Sequence, residues 1–420
     1  MWPLNRDPTA LTLAVVLAIS LSVFSLVLLG RKHKLAGIAC LAFTLRGIRG
    51  VMSQIMQSEL DGGAYNNFAV SLVRHWQGQG PDPGAWLGKD GFPALLAAIY
   101  TVIGEAPEIG YLINAFAGGL SVIVVGATTA QMGWDRAIRP SAWLVALWPV
   151  GVVWGGMLLR EAIVTLLLSI ALWGAVRLYK QHWLSGVVAV LGTGTAMLMM
   201  RGGLAYLVLI GLPITVVLAS NLRRKPGAAR WVFAISVVAM STFLLSLLSD
   251  YFEGSQYFEY RGEVVRETNN GSSSFSQAGA AAASLDTSVI GHLLRIPLTA
   301  LGPLPWQVTN LSLAIAAIDA ALWLAAWAFA IYATRFLRPR AEGLLFMLPT
   351  LALVVALAAN AANFGLIIRL RGQGIVFLAP LAALGLVLWH ERRLAAKAAH
   401  QEVLNATRER GRARARSTGR

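Results

Sequence analysis

Apolar runs of about 20 residues recur along this chain and constrain its fold more than any other feature. The first run occupies residues 10–30 and a second begins near Leu35. The others lie at about residues 110–131, 141–158, 162–178, 184–200, 203–220, 231–249, 308–333, 343–361 and 373–389, with predicted turns at Arg160-Glu161, at Arg201 and around Arg369 and Arg371. A helix of this length crosses the hydrocarbon core of a bilayer, where every backbone polar group must be bonded within the protein. We therefore predict an all-α polytopic membrane protein with about eleven transmembrane helices, forming a single transmembrane domain over residues 1–389.

The distribution of basic residues sets the predicted orientation of these helices. The chain has a formal net charge of +15, and its arginines and lysines cluster between apolar runs and in residues 390–420. Loops rich in Lys and Arg stay on the cytoplasmic side. We predict an external N-terminus, external loops over about residues 58–92 and 250–305, and a basic cytoplasmic tail over residues 390–420 against anionic headgroups. The lipid bilayer is thus the expected partner, and nucleic acid is not.

The first external loop is predicted to contain helices that lie at the membrane surface. Between Tyr65 and Trp76, apolar side chains recur on one side of a helix, which is typical of an interfacial amphipathic helix. Residues 93–104 are apolar but too few to cross the bilayer, and they are predicted to form a second interfacial helix.

The predicted topology collects charged side chains from distant parts of the chain on the external face. Unpaired charge at membrane depth is costly, so an ionisable residue near the end of a span is either paired or a candidate for function. The carboxylates on this face are Glu59, Asp61, Asp90 and Glu161, and the cations are Arg46, Arg49, Arg74, Lys89, Arg160, Arg201, Arg369 and Arg371.

Asp61 is the candidate general base of this face. A carboxylate in an external loop close to the bilayer can accept a proton from a hydroxyl or an amine. The same residue has a structural interpretation, because Asp61 precedes Gly62 and Asp-Gly pairs are common in solvated turns. The local sequence leaves both interpretations open.

Four external arginines, Arg160, Arg201, Arg369 and Arg371, are candidates for holding a phosphate. The guanidinium group matches two phosphate oxygens at once, and the phosphate of a polyprenyl carrier lies at the lipid–water boundary. The alternatives are ion pairs with nearby carboxylates and snorkelling to headgroups. Both stay open for Arg160, whereas phosphate is favoured for Arg201 and Arg371 because no carboxylate is near them in sequence.

No cofactor is assigned from the sequence. Asp61, His75 and His292 could together bind a divalent metal ion, but no paired-histidine spacing supports such a site. The sequence has no Walker motif, dinucleotide fingerprint or nucleophile elbow. Asp319, inside an apolar run, is predicted to belong to a buried polar network rather than to a pathway, and the glycines of the runs are attributed to close helix packing.

Local patterns along residues 55–180 occur in the same order as in a known superfamily. In the first pattern, an acidic residue precedes Tyr and a helix of small residues. In the second, an apolar half-helix contains Pro and ends in Gly. In the third a span begins with Asn, and in the fourth a span ends in Trp-Pro before a polar turn. These patterns are Asp61-Gly62-Gly63-Ala64-Tyr65-Asn66-Asn67-Phe68-Ala69, Phe92-Pro93-Ala94-Leu95-Leu96 to Ile103-Gly104, Leu112-Ile113-Asn114-Ala115-Phe116-Ala117-Gly118-Gly119, and Leu147-Trp148-Pro149 with Arg160-Glu161. They resemble the GT-C superfamily of integral-membrane glycosyltransferases, especially protein mannosyltransferases and aminoarabinose transferases.

The resemblance implies transfer of a sugar from a polyprenyl-phosphate-linked donor to a glycan, lipid or protein acceptor, in polysaccharide biosynthesis at the cell envelope. Asp61 would deprotonate the acceptor, and the external arginines would hold the phosphate. The expected location is the plasma or inner membrane, which the chain would cross several times. Substrate contacts are expected from Tyr65, Lys89, Asp90, Glu161 and His292.

Two other functions fit the same residues. A polysaccharide polymerase or ligase that uses a diphosphate-linked oligosaccharide would make more use of the arginines. A flippase or transporter of lipid-linked sugars predicts charged residues at span centres and helices broken at the midplane. Because the polar residues concentrate at one predicted face, with Asp319 as the main exception, the sequence favours an interfacial enzyme.

Overall fold

The computed structural model describes residues 8–56, 60–84, 90–224, 301–304, 308, 311–337, 340–360 and 364–418. No strand occurs in these ranges, which confirms the prediction of an all-α protein. The α-helices are α1 (Pro8–Gly30), α2 (Ala36–Met56), α3 (Leu60–Trp76), α4 (Gly91–Ile103), α5 (Pro107–Gln131), α6 (Ile138–Ala146), α7 (Pro149–Val153), α8 (Glu161–Tyr179), α9 (Trp183–Tyr206), α10 (Leu212–Arg224), α11 (Leu311–Thr334), α12 (Leu344–Asn360) and α13 (Phe364–Thr418).

Seven helical runs in the described part of the chain are long and apolar enough to cross a membrane. On α1, Leu13 and Phe24 are 70% and 65% exposed, which suits a helix that faces lipid. The count of eleven spans and the surface position of α3 and α4 are not confirmed, and the span predicted at residues 231–249 lies outside the described residues. The seven runs are Leu11–His33, Ala36–Ile55, Pro107–Gln131, Glu161–Tyr179, Trp183–Asn221, Leu313–Thr334 and Ile368–Arg408.

Helix α5 lies at the centre of the N-terminal helices and packs against α1, α2, α6 and α8. Glycines permit this close approach, because a Cβ atom at Gly119 would collide with Leu26, and one at Gly126 would collide with Leu35. The attribution of glycines to helix packing is therefore confirmed at these positions. Helix α13 packs in a similar central position against α6, α8, α11 and α12.

The span predicted over residues 141–158 is wrong, because the chain is broken there. Helix α6 ends at Ala146, and the five-residue helix α7 is followed by a non-helical segment over residues 154–160. Pro149 has no N–H group and disfavours a helical conformation at Trp148, whose ψ angle is 118°. The proline therefore ends α6 after 9 residues and starts a new helix in another direction.

The run Trp183–Asn221 is folded back on itself at Arg201. The backbone of Arg201 is extended, with φ −161° and ψ 82°. Beyond it, the side chain of Leu209 packs against Gly194, although a straight helix would separate these residues by roughly 22 Å. Two antiparallel helices result, which agrees with the predicted turn at Arg201.

The turn predicted around Arg369 and Arg371 is replaced by helix. Helix α13 begins at Phe364, so both arginines lie within its first two turns rather than outside the span predicted over residues 373–389. The helix continues to Thr418 and so includes most of the basic tail.

Candidate functional site

A cleft opens between α2, α5, α8, α13 and the segment that follows α6. The space between its lining atoms, with the open mouth included, is about 410 Å³. Charged or amide side chains reach it from three helices, and two indole rings come from the α6–α7 region. The side chains concerned are Arg46, Glu161, Arg369 and Gln373, with Trp148 and Trp154.

The reversal of α9 joins two further arginines to this cleft. Arg201 Nη1 donates a hydrogen bond of 3.2 Å to Gln373 Oε1. Arg160 Nη1 donates a bond of 2.6 Å to the carbonyl oxygen of Met200, the residue before the reversal. The break in α9 and the start of α8 are therefore tied together by their arginines.

Three of the four arginines predicted to hold a phosphate converge in this region. Arg201 is close enough to Arg160, Glu161 and Arg369 for their charges to act on it. Arg369 lies over the ring of Trp154, with 4.2 Å between the guanidinium carbon and the ring centroid. These described side chains bring three positive charges and one negative charge into one region, and the net positive charge attracts an anion.

The position of Arg160 depends on the non-helical segment before it, which Asn114 of α5 holds in place. Asn114 is fully buried, and its Nδ2 donates hydrogen bonds of 2.6 Å to the carbonyl oxygens of both Met157 and Leu159. The side-chain amide thus takes over a role that a helix would fill with backbone N–H groups. These bonds fix the backbone immediately before Arg160.

Helix α3 brings Tyr65 to the edge of the arginine cluster. Tyr65 is largely buried, packs edge-on against Phe92 of α4 at 5.7 Å between ring centroids, and lies within electrostatic range of Arg201. Asn66 fastens the two helices, because it accepts a 2.7 Å bond from the hydroxyl group of Tyr100. The structure therefore places one predicted substrate residue, Tyr65, beside a predicted phosphate ligand.

The remaining predicted residues are described to different extents. Asp90 precedes α4, whose first residue, Gly91, packs on the backbone of Met199 close to the reversal. The backbone of Asp61 lies in the first turn of α3. The side chain of Asp61 lies outside the described part of the structure, as do Lys89 and His292.

Arg371 does not join the cluster, and its predicted phosphate role is corrected. The side chain is fully buried, and its Nε and Nη2 donate bonds of 3.0 and 2.8 Å to Asp319 Oδ2, while Nη1 donates one of 2.7 Å to the carbonyl oxygen of Gly302. No carboxylate is near Arg371 in the sequence, but Asp319 of α11, 52 residues away, reaches it in the fold. The prediction that Asp319 belongs to a buried network is confirmed.

Sequence reasoning missed Gln373 and Trp154 and left Arg46 ambiguous. Arg46 is buried, and its two terminal nitrogens donate bonds of 3.3 Å to the carbonyl oxygens of Val145 and Ala146, at the end of α6. The available signal was a polar side chain within an apolar run, which Arg46 and Gln373 share with Asp319. Trp154 carried no comparable signal.

No protein-family model matches the chain, and no curated protein or solved structure matches it. Among the residues that the structure describes, no group of three or more His, Cys, Asp or Glu side chains is arranged to hold a metal ion. In the described part of the chain, fold and site together define an all-helical architecture with seven helical runs long and apolar enough to cross a membrane, and a cleft between helices that arginine side chains line.

Proposed function

We propose that this protein is a membrane glycosyltransferase, which moves a sugar from a polyprenyl-phosphate-linked donor to a glycan, lipid or protein acceptor. The observation that carries the proposal is that Arg160 and Arg369 lie within electrostatic range of Arg201, with Glu161 as the one carboxylate named beside them. The reaction would take place on the external face of the plasma or inner membrane. The polyprenyl chain of the donor would remain in the bilayer, which confines it next to the cleft.

The proposed reaction uses the arginines to stabilise a leaving group. The acceptor oxygen attacks the anomeric carbon, the bond between that carbon and the phosphate oxygen breaks, and the phosphate leaves with both electrons. Guanidinium groups held in place before the reaction stabilise the charge that develops on the phosphate. The acceptor proton goes to Asp61, which lies one helical turn before Tyr65 in α3.

Transfer of labelled sugar by the purified protein in nanodiscs tests this proposal. The donors are polyprenyl phosphates linked to different sugars, and the variant Asp61→Asn is compared with the wild type. Transfer is expected to fall by at least about 10²-fold, as for loss of a general base. Asp82→Asn is the matched control, because Asp82 accepts a bond from the Gly84 N–H in an exposed turn and is expected to retain activity. Full transfer by Asp61→Asn would remove Asp61 as the base.

Flipping of lipid-linked sugars is the second candidate function, and two observations favour it. The buried pair of Asp319 and Arg371 places charge inside two apolar helices, and the chain is broken between α6 and α8. Proteoliposomes that contain a fluorescent polyprenyl-phosphate sugar separate this function from transfer. Movement of the label between leaflets without any transferred product would favour the flippase.

A polymerase or ligase that uses a diphosphate-linked oligosaccharide is the remaining alternative. It is supported by a fourth arginine, Arg46, which lines the same cleft and adds positive charge for a second phosphate. The nanodisc assay distinguishes it when monophosphate and diphosphate donors of the same sugar are compared. Transfer from the diphosphate donor alone would favour the polymerase or ligase.

A further inference from the structure

Four exposed cations lie on two neighbouring turns of the helix bundle. Arg31, Lys32 and Lys34 belong to the turn between α1 and α2, and Arg139 lies in the first turn of α6. Within the described ranges of the chain, none of the four takes part in an ion pair. These four side chains are called the basic surface below.

Packing against α5 brings the two turns of the basic surface together. A Cβ atom at Gly126 of α5 would meet the side chains of both Leu35 and Ile138. Leu35 follows Lys34, and Ile138 precedes Arg139. The cations of the two turns therefore flank the same point of α5, although about 100 residues of sequence separate them.

The carboxylates near the basic surface leave it with a net positive charge. Asp135, in the turn before α6, acts electrostatically on His33 of the other turn. Glu391 of α13 forms a 2.6 Å ion pair with Arg136, a cation outside the basic surface. Asp135 therefore offsets only one of the four charges, and an anion is attracted to the remainder.

The backbone of Lys34 has a conformation that favours glycine. Its φ angle is 55° and its ψ angle is 38°, in the left-handed region. The N–H of Lys34 donates to the carbonyl of Arg31, and the N–H of Leu35 donates to the carbonyl of Gly30. These two bonds form a helix C-cap in which glycine is the usual residue. Local geometry therefore does not account for a lysine at this position, whereas a role for its positive charge does.

The protein surface next to these cations is apolar and faces outward. Leu28 and Leu29, at the end of α1, are 54% and 53% exposed and directly precede the turn that carries Arg31. A membrane phospholipid has the same order, with acyl chains followed by a charged headgroup. Cations at this depth are attracted to anionic headgroups.

We infer that the basic surface binds the headgroup of an anionic membrane lipid, whose acyl chains lie along the exposed leucines of α1. This site is separate from the arginine cleft. Asn114, which supports the segment before Arg160, and Gln131, four residues before Asp135, are roughly 26 Å apart along α5. The inference does not rest on the proposed function.

Lipid binding to the purified full chain in detergent micelles, followed by native mass spectrometry, tests this site. The probes are phosphatidylglycerol, phosphatidylcholine and soluble glycerol 3-phosphate. The measured quantity is the affinity for phosphatidylglycerol divided by the affinity for phosphatidylcholine, for the first lipid bound. We expect this ratio to be at least about tenfold in the wild type, because several cations act on one headgroup.

Two variants with substitutions at the same four positions separate charge from shape. The variant with Arg31→Gln, Lys32→Gln, Lys34→Gln and Arg139→Gln is expected to lower the ratio at least about fivefold. The control exchanges lysine and arginine at each of these positions, keeps every charge, and is expected to retain the ratio. Thermal unfolding verifies that both are folded. Lys34→Gln with Arg139→Gln, one change in each turn, replaces the first variant if it does not fold, with an expected fall of at least about twofold.

Three outcomes would overturn the inference. Equal affinities of the wild type for the two lipids would remove the preference for an anionic headgroup. An unchanged ratio in the glutamine variant, or an equal fall in the charge-retaining control, would remove the assignment to these four charges. Binding of glycerol 3-phosphate as tight as that of phosphatidylglycerol would show a site for free phosphate rather than for a lipid.

Discussion

The buried pair of Asp319 and Arg371 makes a prediction about stability that a double-mutant cycle can measure. Their side chains are fully buried between α11 and α13. In Asp319→Leu the Arg371 guanidinium keeps only carbonyl partners, at Gly302 and Ala316. The charge is then buried without a counter-charge, which is the expensive case for an ion pair in a protein interior.

The expected free energies follow from this burial. Asp319→Leu and Arg371→Met are each expected to lower the free energy of unfolding by about 3–5 kcal/mol, because each leaves one buried charge unpaired. The double variant removes both charges and is expected to cost only about 1–2 kcal/mol. The coupling energy should therefore exceed about 2 kcal/mol, well above the average of about 0.6 kcal/mol for hydrogen bonds between membrane helices.

Unfolding of the purified protein in mixed detergent micelles measures these four free energies. Arg136 and Glu391 supply the comparison, because their ion pair is shorter, at 2.6 Å, but its side chains are 78% and 39% exposed. Its coupling energy is expected to be about 0–1 kcal/mol. Equal coupling energies for the two pairs, or a buried coupling energy below about 1 kcal/mol, would refute the argument from burial.

Two further predictions concern the breaks in the helices. Asn114→Ala is expected to lower the free energy of unfolding by about 2 kcal/mol, because the carbonyl oxygen of Leu159 loses its hydrogen-bond donor. The control is Asn67→Ala, at an exposed asparagine, which should change the free energy of unfolding by less than about 0.5 kcal/mol. Arg46→Met is expected to cost about 2–4 kcal/mol, since the buried carbonyl of Val145 loses a bond. Chemical unfolding measures both, and wild-type stability in either variant would contradict the role assigned to that side chain.

The sequence predicted those features that depend on local composition. The apolar runs at residues 110–131 and 162–178 correspond to Pro107–Gln131 and Glu161–Tyr179 within a few residues, because apolar length alone determines such helices. The turn at Arg201 was also predicted, since a cation between two apolar runs indicates a span end. Arg160, Arg201 and Arg369 were predicted to share one face; the structure places Arg160 and Arg369 within electrostatic range of Arg201, and their phosphate role stays a prediction.

Features that depend on contacts between distant residues were not predictable. The partner of Arg371 is Asp319, which is 52 residues away in the sequence. The sequence contains both residues, but only the packing of α11 against α13 brings them together. Gln373 was missed because an uncharged amide in an apolar run is not a marker of a functional site. Its hydrogen bond to Arg201 exists only because the chain reverses at Arg201.

Several polar residues of the site also stabilise the breaks on which the site depends. Pro149 has no N–H to bond the carbonyl of Val145, and Arg46 supplies one in its place. Asn114 bonds the segment before α8, and Arg160 bonds the last carbonyl before the reversal of α9. Non-helical backbone at membrane depth is tolerated only where it is buried in protein or lines a cavity. An arginine inside such a bundle is therefore weak evidence for a ligand, because it also serves as a helix cap. The stronger evidence is that Arg160, Arg201 and Arg369 come from different helical segments, with Arg160 and Arg369 within electrostatic range of Arg201.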